Sequence, residues 1–332
     1  MKKEVNWAII GCGDVTEVKS GPGLYKSEHS NLVAVYNRTT AKAVDYAKRH
    51  NVSKVYKTVS ELLDDDSIDI VYIATPPKYH KDFALQVLNA NKIPYVEKPV
   101  ANTYAEFLEI KELSEKKNIP VYIAFYRRGL EKYLKIKELL DSKVIGDVRF
   151  VSLKQLEKVR SSDLNRENLP WRLKFDISGG GKFVDMGVHM LDYLSLFFGN
   201  ITEIKGSVSN QGGFYDVEDT VLINYKFESG IIGTGTFCYV SDKDENLCEI
   251  LGSEGRIYFD VLSGDSFTIE KNGKKEILNF EVPEHIAMPY EQAIVNEVLG
   301  IKKCHNNIEN ALALSKAMDD LMKSYRVKHF NN

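Results

Sequence analysis

The chain of 332 residues predicts an α/β protein, with a doubly wound parallel sheet first and a mostly antiparallel sheet after it. Three observations predict this. Short apolar runs alternate with helical patterns in the first part. A tight turn, Gly11-Cys12-Gly13, follows the first of those runs. From Asp147 onward the pattern changes to strand-like segments joined by tight turns. The length exceeds what one ordinary core covers, so the chain reads as two domains, 1–125 and 126–332, with the last helix free to pack back on the first domain.

The apolar runs are Val5 to Ile10, Leu32 to Tyr36, Ile70 to Ala74, Tyr95 to Glu97 and Val121 to Phe125. Continuous apolar character suits strands buried on both faces of a parallel sheet. Between them lie helical patterns at Ala41 to His50, His80 to Asn91 and Thr103 to Lys117. The last opens with Thr103-x-x-Glu106, a capping box, and right-handed crossovers then wind the sheet on both faces. Gly21-Pro22-Gly23 falls where the first helix should continue. Proline removes a helical hydrogen bond there, so the expectation is a short turn from Val15, a break, and a second piece over Leu24 to Ser27. The Asp64-Asp65-Asp66 run reads as a solvated turn after a short helix.

In the second part, strands are expected at Asp147–Leu156, Thr202–Val208, Thr220–Phe227, Ile231–Val240 and Leu247–Ile250. Glu228-Ser229-Gly230 and Asn272-Gly273 read as hairpin turns, the second because Asn-Gly tolerates positive φ. One helix, from about Phe183 to Phe198 and closed by Gly199, interrupts the strands. Two more finish the chain, near Tyr290–Leu299 and Ile308–Tyr325.

With 43% hydrophobic and 27% charged residues the composition is that of an ordinary globular protein. The net charge of −3, with both signs interspersed, gives no basic field for a polyanion, so neither nucleic acid nor a membrane surface is expected as a partner. Met1-Lys2-Lys3 before an apolar stretch imitates a signal peptide, but Trp7 to Cys12 is too short and Glu4 interrupts the approach. Cys12, Cys238, Cys248 and Cys304 form no close pair, so reduced thiols in a cytoplasmic protein are expected.

A strand, then Gly11 and Gly13, then a helix opening at Asp14-Val15 is the context of a dinucleotide turn. The first glycine permits the turn, the second lets backbone approach a pyrophosphate, and the helix start offers free N–H groups. Thr16 stands at the third glycine position. Asn37, Arg38, Thr39 and Thr40 end the second strand, where a carboxylate would hold a ribose 2′-hydroxyl. Neutral Asn37 beside cationic Arg38 suits a 2′-phosphate instead, which favours NADP(H) and leaves NAD(H) possible. Thr75, Pro76 and His80 follow the third apolar run. They should border the cofactor, His80 either hydrogen-bonding there or serving as a helix-start histidine with a structural partner.

Tyr95-Val96-Glu97-Lys98-Pro99 ends a strand, so Glu97 and Lys98 fall at the same edge of the sheet. Far downstream, Asp185 and His189 stand four apart, on one helical face. Hydride transfer between nicotinamide and an alcohol needs a proton carrier. His189 suits that work, with Asp185 orienting it or holding substrate. Lys98 either stabilises charge on the reacting oxygen or carries the proton itself. Taken alone, the Asp185–His189 pair reads more readily as a salt-linked pair on a solvated helix; the glycine run before it and Lys98 elsewhere reverse that reading. Tyr126, Arg127, Arg128, Trp171 and Arg172 are candidate substrate contacts for hydroxyls, a carboxylate or a phosphate, although arginines after a strand are commonly surface residues. Lys19 reads as solvated, Cys304-His305 lacks partners at metal-ligand spacing, and His285 and His329 read as loop and tail residues.

These residues together resemble the glucose–fructose oxidoreductase, inositol dehydrogenase and rhizopine-catabolism (Gfo/Idh/MocA) family. The resemblance spans essentially the whole chain: Gly11-Cys12-Gly13, Ala74-Thr75-Pro76 with His80, Glu97-Lys98-Pro99, Gly146-Asp147-Val148, Trp171-Arg172, Gly179-Gly180-Gly181, Asp185-x-Gly187-x-His189 followed by Asp192, and Gly252-Ser253-Glu254-Gly255-Arg256. It implies an N-terminal Rossmann dinucleotide-binding domain and a C-terminal α/β domain with a large, mostly antiparallel sheet. It also implies an open sheet face that builds a homodimer or homotetramer, and a Lys98–Pro99 bond that is often cis. The activity implied is oxidation or reduction of a sugar, polyol or related carbonyl, with Lys98, Asp185 and His189 at the catalytic positions. Thr16, Pro77 and the Gly21-Pro22-Gly23 break depart from the family pattern. Two other classes compete: a non-catalytic NAD(P)-binding regulator, and a glycosidase using tightly bound NAD. A regulator has no need of the three proton-handling residues retained here, and the NADP signature argues against the glycosidase.

Overall fold

The computed structural model describes residues 3–330; Met1 and Lys2 of the N-terminal stretch lie outside the described residues. The chain divides into two compact units, Met1–Leu130 with Pro283–Ile308 and Glu131–Val282 with Glu309–Asn332. The first unit therefore continues past residue 125 and takes in the penultimate helix. The last helix, from Glu309 on, counts with the second unit.

The first unit holds a sheet of strands β1 (Val5–Ile10), β2 (Ser30–Tyr36), β3 (Lys54–Val55), β4 (Ile70–Ile73), β5 (Ile93–Val96) and β6 (Tyr122–Ile123), in the order β3-β2-β1-β4-β5-β6. Every neighbouring pair is parallel. This is a doubly wound Rossmann order, whose direction reverses between β1 and β4. Burial on both faces accounts for the unbroken apolar runs, since Ile70 to Ile73 are all fully buried. The edge strand β3 has no such run, which is why its two residues carried no signal. Trp7 packs edge-on to Tyr95 at 5.8 Å, and Tyr72 stacks on Tyr95 at 4.8 Å. From the distant segment, the helix Met288–Val298 adds Tyr290, Ile294 and Val295 to this core.

The first helix is broken as expected, into Asp14–Glu17 and Gly23–Lys26. Gly21 is required at the break, because a side chain there would run into the Thr16 carbonyl and the Tyr46 hydroxyl. The capping expectation needs correction at Thr103. Its side chain does accept from the Glu106 N–H, but the Glu106 carboxylate accepts from Asn102 rather than closing the box. A complete box forms instead at Thr58 and Glu61, before the short helix Val59–Leu63.

The second unit carries strands β7 (Val148–Lys158), β8 (Ile201–Ser209), β9 (Thr220–Phe227), β10 (Ile232–Ser241), β11 (Glu245–Gly252), β12 (Gly255–Phe259), β13 (Ser266–Lys271) and β14 (Lys274–Asn279). Their order is β14-β13-β12-β11-β7-β10-β9-β8, antiparallel throughout except for the parallel pair β7–β10. At the β13–β14 turn Asn272 and Gly273 have φ of 53° and 71°, the positive pair that a type I′ hairpin needs. Helix Glu131–Asp141, which the sequence reading did not contain, packs Tyr133 at 4.9 Å from Tyr193 of helix Val188–Phe198. Among the described residues no helix is long and apolar enough to cross a membrane.

Candidate functional site

The reversal between β1 and β4 is where an open α/β sheet leaves a crevice at its strand ends. Gly11 sits there with φ of +102°, and a Cβ on it would lie 2.7 Å from the Ala74 carbonyl oxygen. Only glycine allows β1 to turn so close to the end of β4. The turn is tied to the end of β2: the Cys12 N–H donates to Asn37 Oδ1 at 3.2 Å, and Asn37 Nδ2 donates to the Thr39 carbonyl at 3.1 Å. Gly13 and Asp14 are exposed, and a Cβ on Gly13 would meet nothing within 4 Å. The buried Thr75 hydroxyl has no hydrogen-bond partner among the described residues. Arg38 is exposed, with no ion pair among them. An open glycine turn, an orphaned hydroxyl and an unengaged guanidinium around one sheet end are what a dinucleotide would require, so the residues present fit such a group.

Cys12 is not reactive chemistry in this turn. Burial pushes its thiol up to about 12, so it stays protonated at neutral pH.

At the end of β5, the Tyr72 hydroxyl donates to Glu97 Oε1 at 2.5 Å, and Glu97 Oε2 accepts the Lys98 N–H at 3.1 Å. Glu97 thus fixes the backbone that carries Lys98, whose peptide bond to Pro99 is cis. His80 braces the same segment from the start of the helix His80–Asn89, which lies between β4 and β5. Its ring nitrogens stand 2.8 Å from the Pro99 carbonyl and 2.6 Å from the Thr75 carbonyl. Burial lowers its pKa to about 4 against the pull of those two carbonyls, so at neutral pH the ring is uncharged and donates one N–H. Its geometry matches the structural alternative weighed from sequence.

Sequence reasoning missed Glu291, on the penultimate helix of the same unit. It is fully buried, and neither carboxylate oxygen has a hydrogen-bond partner among the described residues. Burial, then the charge of Glu97, pushes its pKa well above the ordinary range, so the carboxyl holds a proton. Its Oε2 lies where a side chain on Gly23 would go, so a glycine of the break makes room for it.

In the second unit the helix expected from Phe183 begins as a π turn, Phe183–Gly187, before the α-helix Val188–Phe198. The wider turn changes the simple four-residue spacing between Asp185 and His189 and is a feature often found at functional positions. Both residues are buried, at 8% and 7% exposure, which rules out the solvated helical pair. Arg172, in the turn Trp171–Leu173, brings Nε to 3.8 Å from Asp185 Oδ2, while Trp171 is exposed.

Four buried groups that the motifs did not flag, Lys182, Asp163, Glu157 and Glu218, surround this turn. Lys182 Nζ stands 2.6 Å from Asp163 Oδ2 and 3.9 Å from Glu157 Oε2. Glu218 accepts the Gly181 N–H with both oxygens, each at 2.7 Å. Burial raises its pKa to about 7. Two further readings change: Arg127 and Arg128 are buried rather than surface residues, and Arg128 Nη1 donates to the His305 carbonyl at 3.2 Å. His285 is buried too, with Nδ1 at 2.8 Å from the Val18 carbonyl and Nε2 at 2.6 Å from Lys26 Nζ. His329 stacks on Tyr325 at 4.4 Å.

Comparison with known proteins agrees with this architecture. Residues 5–125 match the oxidoreductase family with an NAD-binding Rossmann fold, and residues 133–258 match the GFO/IDH/MocA C-terminal domain. Oxidoreductase P35 of Formosa agariphila is 39% identical over 96% of this chain and 98% of its own. The trans-1,2-dihydrobenzene-1,2-diol dehydrogenase of Mus musculus is 27% identical over 82% of this chain and 79% of its own. The crystal structure of an aldose–aldose oxidoreductase from Caulobacter crescentus, complexed with glycerol, superposes with a TM-score of 0.86 at 20% identity, covering 98% of each chain. Two domain matches in the expected order and a relative of this identity along nearly the whole length lead to one conclusion: the chain belongs to the GFO/IDH/MocA family of oxidoreductases.

Proposed function

We propose that this oxidoreductase transfers a hydride between a nicotinamide dinucleotide, NADP(H) in preference to NAD(H), and a sugar, polyol or related carbonyl compound. The observation that carries the reading is the sheet end itself. There an open Gly13, the unpartnered Thr75 hydroxyl and a braced Lys98 segment follow the ends of adjacent strands. Gly11, Gly13, Asp14 and Val15 would receive the pyrophosphate, and Thr75, Pro76, Glu97 and Lys98 would border the nicotinamide end. The free guanidinium of Arg38 supports a 2′-phosphate partner, because Asn37 is already committed to the glycine turn and to Thr39. His80 acts here through the backbone of Thr75 and Pro99.

The nicotinamide, when bound, accepts or returns the hydride. The protein supplies proton handling and charge. His189 takes the hydroxyl proton during oxidation and returns it during reduction, Asp185 orients the reacting group, and Lys98 stabilises negative charge on the reacting oxygen. Arg172, Trp171, Tyr126 and Arg127 would be substrate contacts, and the Arg172–Asp185 proximity supports this for Arg172. The aldose chemistry in the name of the Caulobacter protein supports the carbohydrate class. The reading also includes a homodimer or homotetramer formed through the second unit's sheet, on whose β9 Leu222 is 49% exposed. It places the protein in the cytoplasm, a compartment that suits four unpaired thiols.

The test is reduced-nicotinamide absorbance with a panel of aldoses, polyols, inositols and keto-sugars, both nucleotides being offered in both directions. Turnover with one class, faster with NADP, is the expected result. Nucleotide binding without turnover on any member of the panel would contradict the proposal.

A further inference from the structure

Gly181 is held from both sides. Its N–H donates to both oxygens of the Glu218 carboxylate, each at 2.7 Å, and its carbonyl accepts the N–H of Asp185 at 3.2 Å. A single residue thus separates a buried carboxylate from the backbone of Asp185. The fit leaves no slack. A Cβ on Gly181 would run into the Glu218 carbonyl oxygen and lie 3.1 Å from its carboxylate carbon. Glu218 is itself fully buried in the loop just before β9, and its carboxylate oxygens accept from the Gly181 N–H.

We propose that Glu218 is a positioning residue: its carboxylate fixes Gly181, and through it the π turn Phe183–Gly187 that sets Asp185 and His189, and protonation of Glu218 releases that hold. An ionised carboxylate offers only acceptors to the converging N–H groups. A protonated one turns an acceptor into a donor, and the bidentate bond to Gly181 cannot persist in the same form. Burial is what moves the ionisation toward neutrality, to about 7, opposed by the N–H groups of Gly181 and of Glu218 itself, the charge of Arg326 and the Val184 N–H.

The groups facing Glu218 are accounted for. From the last helix come Arg326, whose Nε donates to the Gly179 carbonyl at 3.1 Å and whose Nη1 pairs with Asp319 at 2.5 Å, and Tyr325. Tyr239 faces it from β10 and Tyr215 from the preceding loop. Burial raises all three tyrosines, so they stay neutral near pH 7. The neighbouring Asp219 is engaged elsewhere, accepting the N–H groups of Gln211 and Gly212 at 2.8 Å each. Arg326 is thus a cation facing Glu218, and Gly181 is where a change in the charge of Glu218 is transmitted.

This inference rests on reading Asp185 and His189 as substrate-handling groups, so its test uses a readout other than turnover. The full chain is labelled for carboxyl infrared difference spectra and histidine NMR, His189 being assigned with His189→Asn, and wild type is compared with Glu218→Gln. Wild type should show a buried carboxyl titrating near pH 7, and His189 ring signals shifting with the same midpoint. Both should be absent from Glu218→Gln, which keeps its fold. Turnover of wild type should fall on the acid side with that midpoint, and the variant's profile should be flat there. A His189 signal that does not follow the carboxyl, or a variant with the wild-type profile, overturns the proposal. If Glu218→Gln does not fold, the wild-type spectra decide alone: no carboxyl titration between about pH 6 and 8 refutes it. Coupled spectra in a protein without nicotinamide turnover would uphold the positioning role while refuting the redox reading.

Discussion

Two glycine turns, Gly11-Cys12-Gly13 and Gly179-Gly180-Gly181, look alike in the sequence and do different work. A side chain on Gly13 would meet nothing within 4 Å. One on Gly180 would run into Val184, and one on Gly181 into Glu218. In the first turn Gly11 lets the chain pack against its own Ala74 carbonyl, while Gly13 faces open space that, on the proposed reading, a nucleotide fills. The second is glycine so that the chain can approach itself. Glycine content alone therefore does not mark a ligand cradle; the space in front of each missing side chain does.

The largest expected effect separates what the first turn binds from what the chemistry needs. Lys98→Met should lower kcat by roughly 10²–10³-fold, the usual loss on removing one charge-stabilising group. Its nucleotide Kd should stay near wild type, since the side chain is at the strand end and not in the glycine turn. Retained turnover would remove Lys98 from the mechanism.

The contrast extends to two buried glutamates. Glu218 has Gly181 to bind, whereas Glu291 has no hydrogen-bond partner among the described residues and is held protonated by burial. A carboxyl whose folded-state pKa is raised contributes its full stability below the unfolded value near 4.5 and loses it as pH rises toward the folded value. Glu291→Gln should therefore be more stable than wild type at pH 7, by at most about 3 kcal/mol, with the gap closing near pH 4.5. Urea unfolding at the two pH values checks this. A less stable variant at pH 7 would mean that the ionised form has a partner after all.

The turns themselves can be exchanged for alanine. Gly181→Ala forces a methyl group against Glu218 and should cost about 1–3 kcal/mol of stability. Gly13→Ala should change stability by no more than about 0.5 kcal/mol while weakening nucleotide binding. Paired thermal melts and nucleotide titrations distinguish the two, and equal stability losses would erase the contrast. The smallest effect sharpens the cofactor side. Arg38→Ala should raise KM for NADP by about tenfold and leave KM for NAD nearly unchanged, because a charge-assisted bond to a 2′-phosphate is worth roughly 1.5–3 kcal/mol.

Where an element buries both faces or needs a special turn, its sequence announces it. The runs Val5–Ile10 and Ile70–Ile73, the Asn272-Gly273 turn and the break at Pro22 were all legible for that reason. The two-residue strand β3 was not, since a partly buried edge strand leaves weak periodicity; the helix Glu131–Asp141 was overlooked although Tyr133, Ile136 and Leu140 recur at helical spacing. Candidate residues followed from motifs, but their supports did not. Glu218 lies 37 residues from Gly181 in sequence, and no local pattern tells a buried carboxylate from a surface one. The same holds for Arg127 and Arg128, whose burial depends on packing that a strand-end motif does not encode. The π turn was invisible because its residues continue an apolar helical pattern; only the backbone bonding reveals the extra width.

The most direct test of the account is to follow a label from NADPH carrying deuterium at both C4 positions of the nicotinamide into the product of whichever carbonyl substrate the panel identifies, by mass spectrometry. The account predicts one deuterium bound to carbon in the product for each NADPH consumed, with transfer sharply slowed in Lys98→Met. Product formed without label would contradict net hydride transfer and with it the function proposed for this chain.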